Sequence, residues 1–217
     1  MPWFLRTSRH GVHAVYGQQA DNSCGIACVI MVNFKMKKWE VASAAATVAS
    51  NPIVGFPALG LATYDAVKRE TEVYGAYSKV TGQKYDGTTY TDATVLPRVL
   101  NELSIGRWVA ACVTARDLAG SILDKYSRWP FITLVHWRAG GGHFVICDNV
   151  EKSGTGGSAD FCDPWDTSVR TLTLVRGRAI TYQVEHATGQ VDLGQTHYAY
   201  ANAAKKADMD GWIIYRA

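Results

Sequence analysis

The first strong pattern along the chain begins at Asp21. Asp21, Asn22 and Ser23 are residue types that start helices, because their side chains accept hydrogen bonds from first-turn N–H groups. They precede Cys-Gly-Ile-Ala-Cys-Val-Ile-Met-Val-Asn-Phe, a run that is apolar on every side. A helix without a polar face is a buried one, so this pattern predicts a central helix opening at about Cys24. Gly25 in its first turn costs about 1 kcal/mol relative to alanine, which points to close approach by another segment or a ligand. A second, Ala-rich helix is expected over Trp39–Ala49, ended by Asn51-Pro52. Leu59, Ala62, Ala66 and Val67 share one side of a helix expected over 59–72. Residues 73–91, rich in Gly, Thr and Tyr, read as a loop or loose β-arm. Thr94–Leu103 reads as a helix with Pro97 in its first turn, where a missing N–H costs nothing.

The second half has a different period. Trp108–Thr114 and Pro130–Trp137 read as strands, separated by an amphipathic helix over Ala115–Tyr126 with Leu118, Ile122 and Leu123 inward. Gly140-Gly141-Gly142 is a turn into a strand, His143–Val150. The polar stretch Glu151–Ala159 turns that strand into a hairpin. Further strands are expected at Ser168–Val175, Ile180–Glu185 and His197–Ala201, and the closing Gly-Trp-Ile-Ile-Tyr-Arg reads as an anchored strand. Residues 1–20 are irregular apart from a strand at Val12–Tyr16, with His10 and His13 beside no motif. Helices first and strands later predict an α+β fold rather than a wound parallel sheet. We read one domain, with a helical part over about 1–107 and a sheet part over about 108–217.

Composition narrows the function classes. With 47% hydrophobic and 19% charged residues, the chain is globular rather than disordered. No apolar run reaches the ~20 residues of a membrane span. The net charge of +3 is unclustered, which argues against a nucleic-acid partner. The first ten residues lack the apolar core of a signal peptide. The expected location is therefore cytoplasmic, or outside by a non-classical secretion route.

The candidate chemistry centres on Cys24. A cysteine at the first turn of a helix feels the partial positive charge of the helix N-terminus, which favours the thiolate. The first-turn N–H groups can hydrogen-bond a developing oxyanion. Gln18, six residues earlier, offers a neutral side-chain donor for the same purpose, with Gln19 as its alternative. A thiol nucleophile needs a base. Of six histidines, His143 stands directly after the glycine turn, where a side chain can face a cleft from a rigid backbone. His136 is its alternative. Asp163, in Phe-Cys-Asp-Pro-Trp-Asp, lies across the hairpin from His143 and can hold the imidazole in one tautomer. Asp148 and Asp166 are alternatives for this acid. Trp165 is placed to shield the pair, and Cys28, Cys112, Cys147 and Cys162 read as packing residues. Cys24 and Cys28 have helical i, i+4 spacing, but no second zinc-type pair follows them, so neither metal nor cofactor is expected.

Gln-x5-Cys-Gly-x2-Cys-x2-Met, Gly-Gly-His-Phe-Val-Ile and Asp-Pro-Trp together resemble the papain-like cysteine peptidases of bacteria. The likeness extends to double-glycine leader peptidase domains and to papain-like effector proteases. It implies a papain-like fold, with a nucleophile-bearing helical lobe against an antiparallel sheet lobe. It implies Cys24 as nucleophile, His143 as base, Asp163 as orienting acid and Gln18 as oxyanion donor. A protein or peptide substrate and an immunity or inhibitor protein over the groove are the implied partners, and a bacterial toxin or effector is the implied role. Amidase, deamidase or transglutaminase chemistry would use the same residues, and a non-catalytic binding module would keep the scaffold alone. The papain signature is met only in part, since Ile26 and Ala27 separate Gly25 from Cys28. Residues 50–107 and those after 176 exceed a minimal leader peptidase, and substrate choice is expected to reside there.

Overall fold

The computed structural model describes residues 3–48, 70–138, 140–183 and 206–217. Its architecture is mixed α+β. An N-terminal hairpin joins β1 (Trp3–Ser8) to β2 (Gly11–Tyr16). The helices are α1 (Cys24–Val48), α2 (Glu70–Thr81), α3 (Leu96–Glu102) and α4 (Ala115–Ser121), the last continued by a π-helical turn over Ile122–Tyr126. The strands of the main sheet are β3 (Trp108–Cys112), β4 (Phe131–Trp137), β5 (Gly142–Ser153), β6 (Gly156–Cys162), β7 (Val169–Leu174), β8 (Thr181–Gln183) and β9 (Lys206–Arg216). They run in the order β3-β9-β4-β5-β6-β7, with β8 also on β9, and every pairing is antiparallel.

The sheet separates two cores. On one side α1 packs its unbroken apolar surface, Ile26 to Val32, against Phe144, Ile146, Cys162 and Ile214. Helices α2 and α3 close the same core through Val73, Ala76, Leu96, Val99 and Leu100. On the other side, α4 and its π-helical turn cover Val135, Val145, Phe161 and Ile213 through Leu118, Ile122 and Leu123. Alternate residues of β5 thus enter opposite cores, the strand period of two made visible.

Several expectations change. Helix α1 is continuous from Cys24 to Val48, because Lys35-Met36-Lys37-Lys38 contains no breaker; no second helix starts at Trp39. Of the helix expected over 59–72, residues 59–69 lie outside the described residues, as does His197–Ala201. Residues 70–81 form α2 rather than a β-arm. Its glycine and tyrosines are poor helix formers, but burial of Val73, Ala76 and Tyr77 holds it. The 142–162 hairpin turns only at Gly154-Thr155, its strands pairing from Ser153↔Gly156 upward. Cys112 is exposed rather than packed, because it ends β3, an edge strand of the sheet. The closing segment is the anchored strand expected: β9 lies between β3 and β4. It kinks beside Trp212, where Gly211 at φ +102° lets the Val113 carbonyl come within 1.9 Å of where a Cβ would stand.

Candidate active site

Ser23 ends the approach to α1. Its carbonyl accepts from Ala27 N at 2.9 Å, which opens the helix. Its hydroxyl donates to the Ala20 carbonyl at 3.0 Å and accepts from Ala20 N at 3.1 Å. The hydroxyl therefore tightens the preceding turn instead of capping the first turn of α1. Cys24 follows as the first residue of the helix, nearly buried, lining a cleft of about 370 Å³. The helix dipole adds partial positive charge there.

His143 stands at the start of β5, after Gly140 and Gly141, which hold φ values of +98° and +92° that a side chain would strain. Strand β6 pairs with β5 up to Ile146↔Cys162, so Asp163 leaves the sheet close to His143. The two meet through His143 Nε2 and Asp163 Oδ1 at 2.8 Å. The carboxylate requires Nε2 to be the donor, which leaves Nδ1 for the Cys24 thiol, also within hydrogen-bonding reach of the ring. Burial works against charge on His143, but the Asp163 carboxylate and Cys24 overcome it and raise its pKa from 6.5 to about 10.

Asp163 is fully buried and well supplied with donors. Oδ1 also accepts from Trp165 N at 2.8 Å. Oδ2 accepts from Arg170 Nη1 at 2.9 Å and from Tyr182 Oη at 2.5 Å. Burial alone would push the carboxyl upward, but His143 and Arg170 hold it well below the usual carboxylate range. Arg170, itself buried, also pairs with Asp166 and bonds Ser168. Asp166 is thus a partner of Arg170, not of His143.

The turn carrying Asp163 is held from a distance. Thr167 adopts φ +58°, an outlier for a β-branched residue. Buried Arg6 of β1 donates to the Thr167 carbonyl at 2.9 Å and to its hydroxyl at 3.0 Å. Pro164 O accepts from Gln18 N at 2.9 Å, so the approach to Cys24 is tied to the turn that bears Asp163.

The Gln18 side chain donates from Nε2 to the Ala20 and Asp21 carbonyls at 2.8 and 3.1 Å. In this arrangement it braces the loop leading to Cys24. Gln19 Nε2 donates to the Gly17 carbonyl at 2.7 Å. The ring stacked on His143 is Trp137, at 6.1 Å and 24°, where Trp165 was expected to shield the pair. His136 lines the exposed rim of the cleft. Asp148 is engaged elsewhere, at 2.6 Å from both His13 Nδ1 and Lys35 Nζ.

One wall of the cleft was invisible in the sequence pattern. Tyr90, Thr91, Asp92, Ala93 and Thr94 face Leu134, Phe144 and Trp212 across it. Asn22 N donates to the Gly87 carbonyl at 3.3 Å, Asn22 Nδ2 to the Thr88 carbonyl at 2.7 Å, and Tyr85 Oη to the Asn22 carbonyl at 2.9 Å. Asp92 Oδ1 closes an Asx turn by accepting from Thr94 N at 2.6 Å. Such turn residues were the available signal. The expected close approach at Gly25 is this wall: a Cβ there would stand 2.2 Å from Thr91 Oγ1 and 3.2 Å from Leu96 Cδ1. In an open helix Gly25→Ala would stabilise by up to about 1 kcal/mol. Here it is expected to destabilise by about 1–3 kcal/mol, measured by urea unfolding. Adding Thr91→Ala should recover part of the loss; stabilisation by Gly25→Ala alone would show that the two segments do not meet.

Among the described residues no helix is long and apolar enough to cross a membrane. No protein-family model matches the chain. No curated protein matches it either.

Proposed function

We propose that this protein is a papain-like cysteine peptidase, hydrolysing a peptide bond through Cys24, His143 and Asp163. The observation that carries this reading is the continuous line from a cleft to a buried anion. A thiol at a helix N-terminus reaches one nitrogen of His143, whose other nitrogen is 2.8 Å from Asp163. The helical layer on one face of an antiparallel sheet supports the fold assignment.

In this reading His143 Nδ1 holds the thiol proton, and the Cys24 sulfur attacks the carbonyl carbon. The carbonyl π pair moves to oxygen, where the Cys24 N–H and the helix dipole stabilise it. As that pair returns, the C–N bond breaks, and His143 protonates the leaving amine. Water then attacks the thioester with His143 as base, releasing the acid and restoring the thiol. Asp163 keeps Nε2 protonated throughout, and Arg170 and Tyr182 keep Asp163 ionised and in place. Gln18 acts by bracing residues 20–21, and would have to turn its amide to donate to the oxyanion. As a biological role we propose an effector or toxin acting on a protein substrate.

The test is a digest of a denatured proteome, read by mass spectrometry for new peptide N-termini. Wild type should create them and Cys24→Ala should not. Ammonia release without new N-termini would replace the peptidase reading with a deamidase. Neither product would overturn the enzymatic reading.

A further inference from the structure

A second group of metal-ligand side chains lies away from the Cys24 cleft, between the N-terminal hairpin, α1 and the β5–β6 pair. A ring nitrogen of His13, a carboxylate oxygen of Asp148 and Sγ of Cys162 all lie within 4.8 Å of one another. None of the three takes part in the chemistry proposed for Cys24. Nitrogen, oxygen and thiolate sulfur are the donor types that bind zinc, and bond lengths of about 2.0–2.3 Å put tetrahedral ligands ~3.6 Å apart. Reaching that geometry takes shifts of about 1 Å: His13 Nδ1 and Asp148 Oδ2, now 2.6 Å apart, separate, and the ligand atoms that lie as far as 4.8 Å apart close.

The place is already occupied by a cation. Lys35, buried on α1, sets its ammonium 2.6 Å from Asp148 Oδ2 and 3.9 Å from Cys162 Sγ. Independently of these donors, a cavity of about 350 Å³ adjoins the group and is lined by Lys35, His13 and Asp148 together with Phe34 and Pro130. It provides a path for an aqueous ion and room for the Lys35 side chain to swing out. Around His13, Ser8 Oγ lies 2.9 Å from Nε2, and Asp160 Oδ2 lies 3.4 Å from it. These hold the ring from the side of the hairpin.

We propose that His13, Asp148 and Cys162 form a site for a thiophilic divalent cation of the zinc type, which Lys35 fills with its own ammonium until the metal displaces it. On loading, His13, whose Nδ1 donates to Asp148 and whose Nε2 donates to Ser8, and the Cys162 thiol each give one proton to solvent, and nitrogen and sulfur bond the metal with no change of oxidation state. Lys35 keeps its proton and moves into the cavity, and water from the cavity supplies the fourth ligand. The bound ion ties the β1–β2 hairpin to the sheet.

Co²⁺ is the probe, because thiolate ligation gives it a charge-transfer absorption band and tetrahedral geometry gives it intense visible bands. Purified full-length protein should bind one equivalent with both signals. Cys24→Ala and Cys28→Ser should leave them unchanged, whereas Cys162→Ser should lose the charge-transfer band. His13→Gln gives a second reading should Cys162→Ser fail to fold, and it should weaken binding at least tenfold. Lys35→Met is the discriminating variant. With the competing cation gone, affinity should rise roughly tenfold, equivalent to about 1.4 kcal/mol. No band in folded wild type at millimolar Co²⁺, a band that survives Cys162→Ser, or weaker binding in folded Lys35→Met would each overturn the site. None of these readings depends on whether Cys24 is a nucleophile.

Discussion

Cys24→Ala is expected to abolish peptide hydrolysis, by a factor on the order of 10⁵–10⁶ if the residual rate resembles that of other enzymes stripped of their nucleophile. It is also expected to remove the one thiol that reacts quickly with iodoacetamide at pH 6. An unperturbed thiol is less than about 1% ionised at that pH, so fast alkylation requires a thiolate held by a partner. The structure makes the competition specific. Cys28 and Cys147 are buried, and burial pushes both thiols upward. Cys162 is enclosed behind Lys35. Cys112 is exposed, but on the described residues its only hydrogen bond is to the neighbouring Val113 carbonyl. Peptide mapping should therefore find Cys24 modified first at pH 6. Cys24 labelling should slow sharply in His143→Ala. If Cys112 is modified first at pH 6, the thiol–imidazole pair is not an active one.

Asp163→Asn is expected to change rate, pH profile and stability together. The amide cannot stabilise the imidazolium, and comparable replacements in other triads lower turnover about 10⁴-fold. In the wild type burial works against charge on His143, but the Asp163 carboxylate and Cys24 raise its pKa from 6.5 to about 10, so the alkaline limb of kcat/KM is expected near that pH. Without the carboxylate, burial dominates, and the limb should move down toward or below 6.5, the ordinary histidine value. The linkage to stability follows the same signs. The raised pKa of His143 stabilises the fold fully below about pH 6.5, and that contribution fades as pH climbs through about 10. The lowered pKa of Asp163 stabilises above its unfolded value of 3.8 and is lost on acidification. Arg170 adds a third effect, because its buried guanidinium loses one of two carboxylate partners. Breaking a buried pair from one side costs about 3–5 kcal/mol, and retention of Asp166 should keep the loss at the lower end. Unfolding in urea between pH 5 and pH 10 measures the His143 and Arg170 effects, and its extension below pH 3.8 measures that of Asp163. An unchanged alkaline limb in Asp163→Asn would mean that Asp163 does not set the His143 proton.

Much of this site could be read from local chemistry. Helix-start residues before an all-apolar run placed Cys24 at a helix head, and a glycine turn before an apolar strand placed His143 at a strand start. These are short-range effects, settled within a turn or a hairpin. The helix over 70–81 was not readable, because its residues favour other conformations and only the burial of Val73, Ala76 and Tyr77 holds it. The cleft wall at 90–94 was missed for a related reason: its order comes from Asn22, Tyr77 and Tyr85, distant in the chain. Trp165 was the expected neighbour of His143 because it follows Asp163 in the chain, whereas strand register puts Trp137 on the ring.

The amino-acid pattern alone determined where the candidate groups stand: one cysteine at a helix end, a histidine after a glycine turn and aspartates beyond it. It favoured Asp163 as the partner of His143, across the hairpin, but left Asp148 and Asp166 open. Both Asp148 and Asp163 lie within reach of His143 along the chain. The folded sheet gives Asp163 to His143, and Asp148 to His13 and Lys35. Asp148 lies five positions beyond His143 and Asp163 twenty, and only register and the docking of α1 and the hairpin decide which carboxylate meets the ring. Arg6, Arg170 and Tyr182, which hold Asp163 and its turn, carry no motif at all. A buried carboxylate is stable only when enough donors converge on it from different elements, and such convergence exists only in three dimensions.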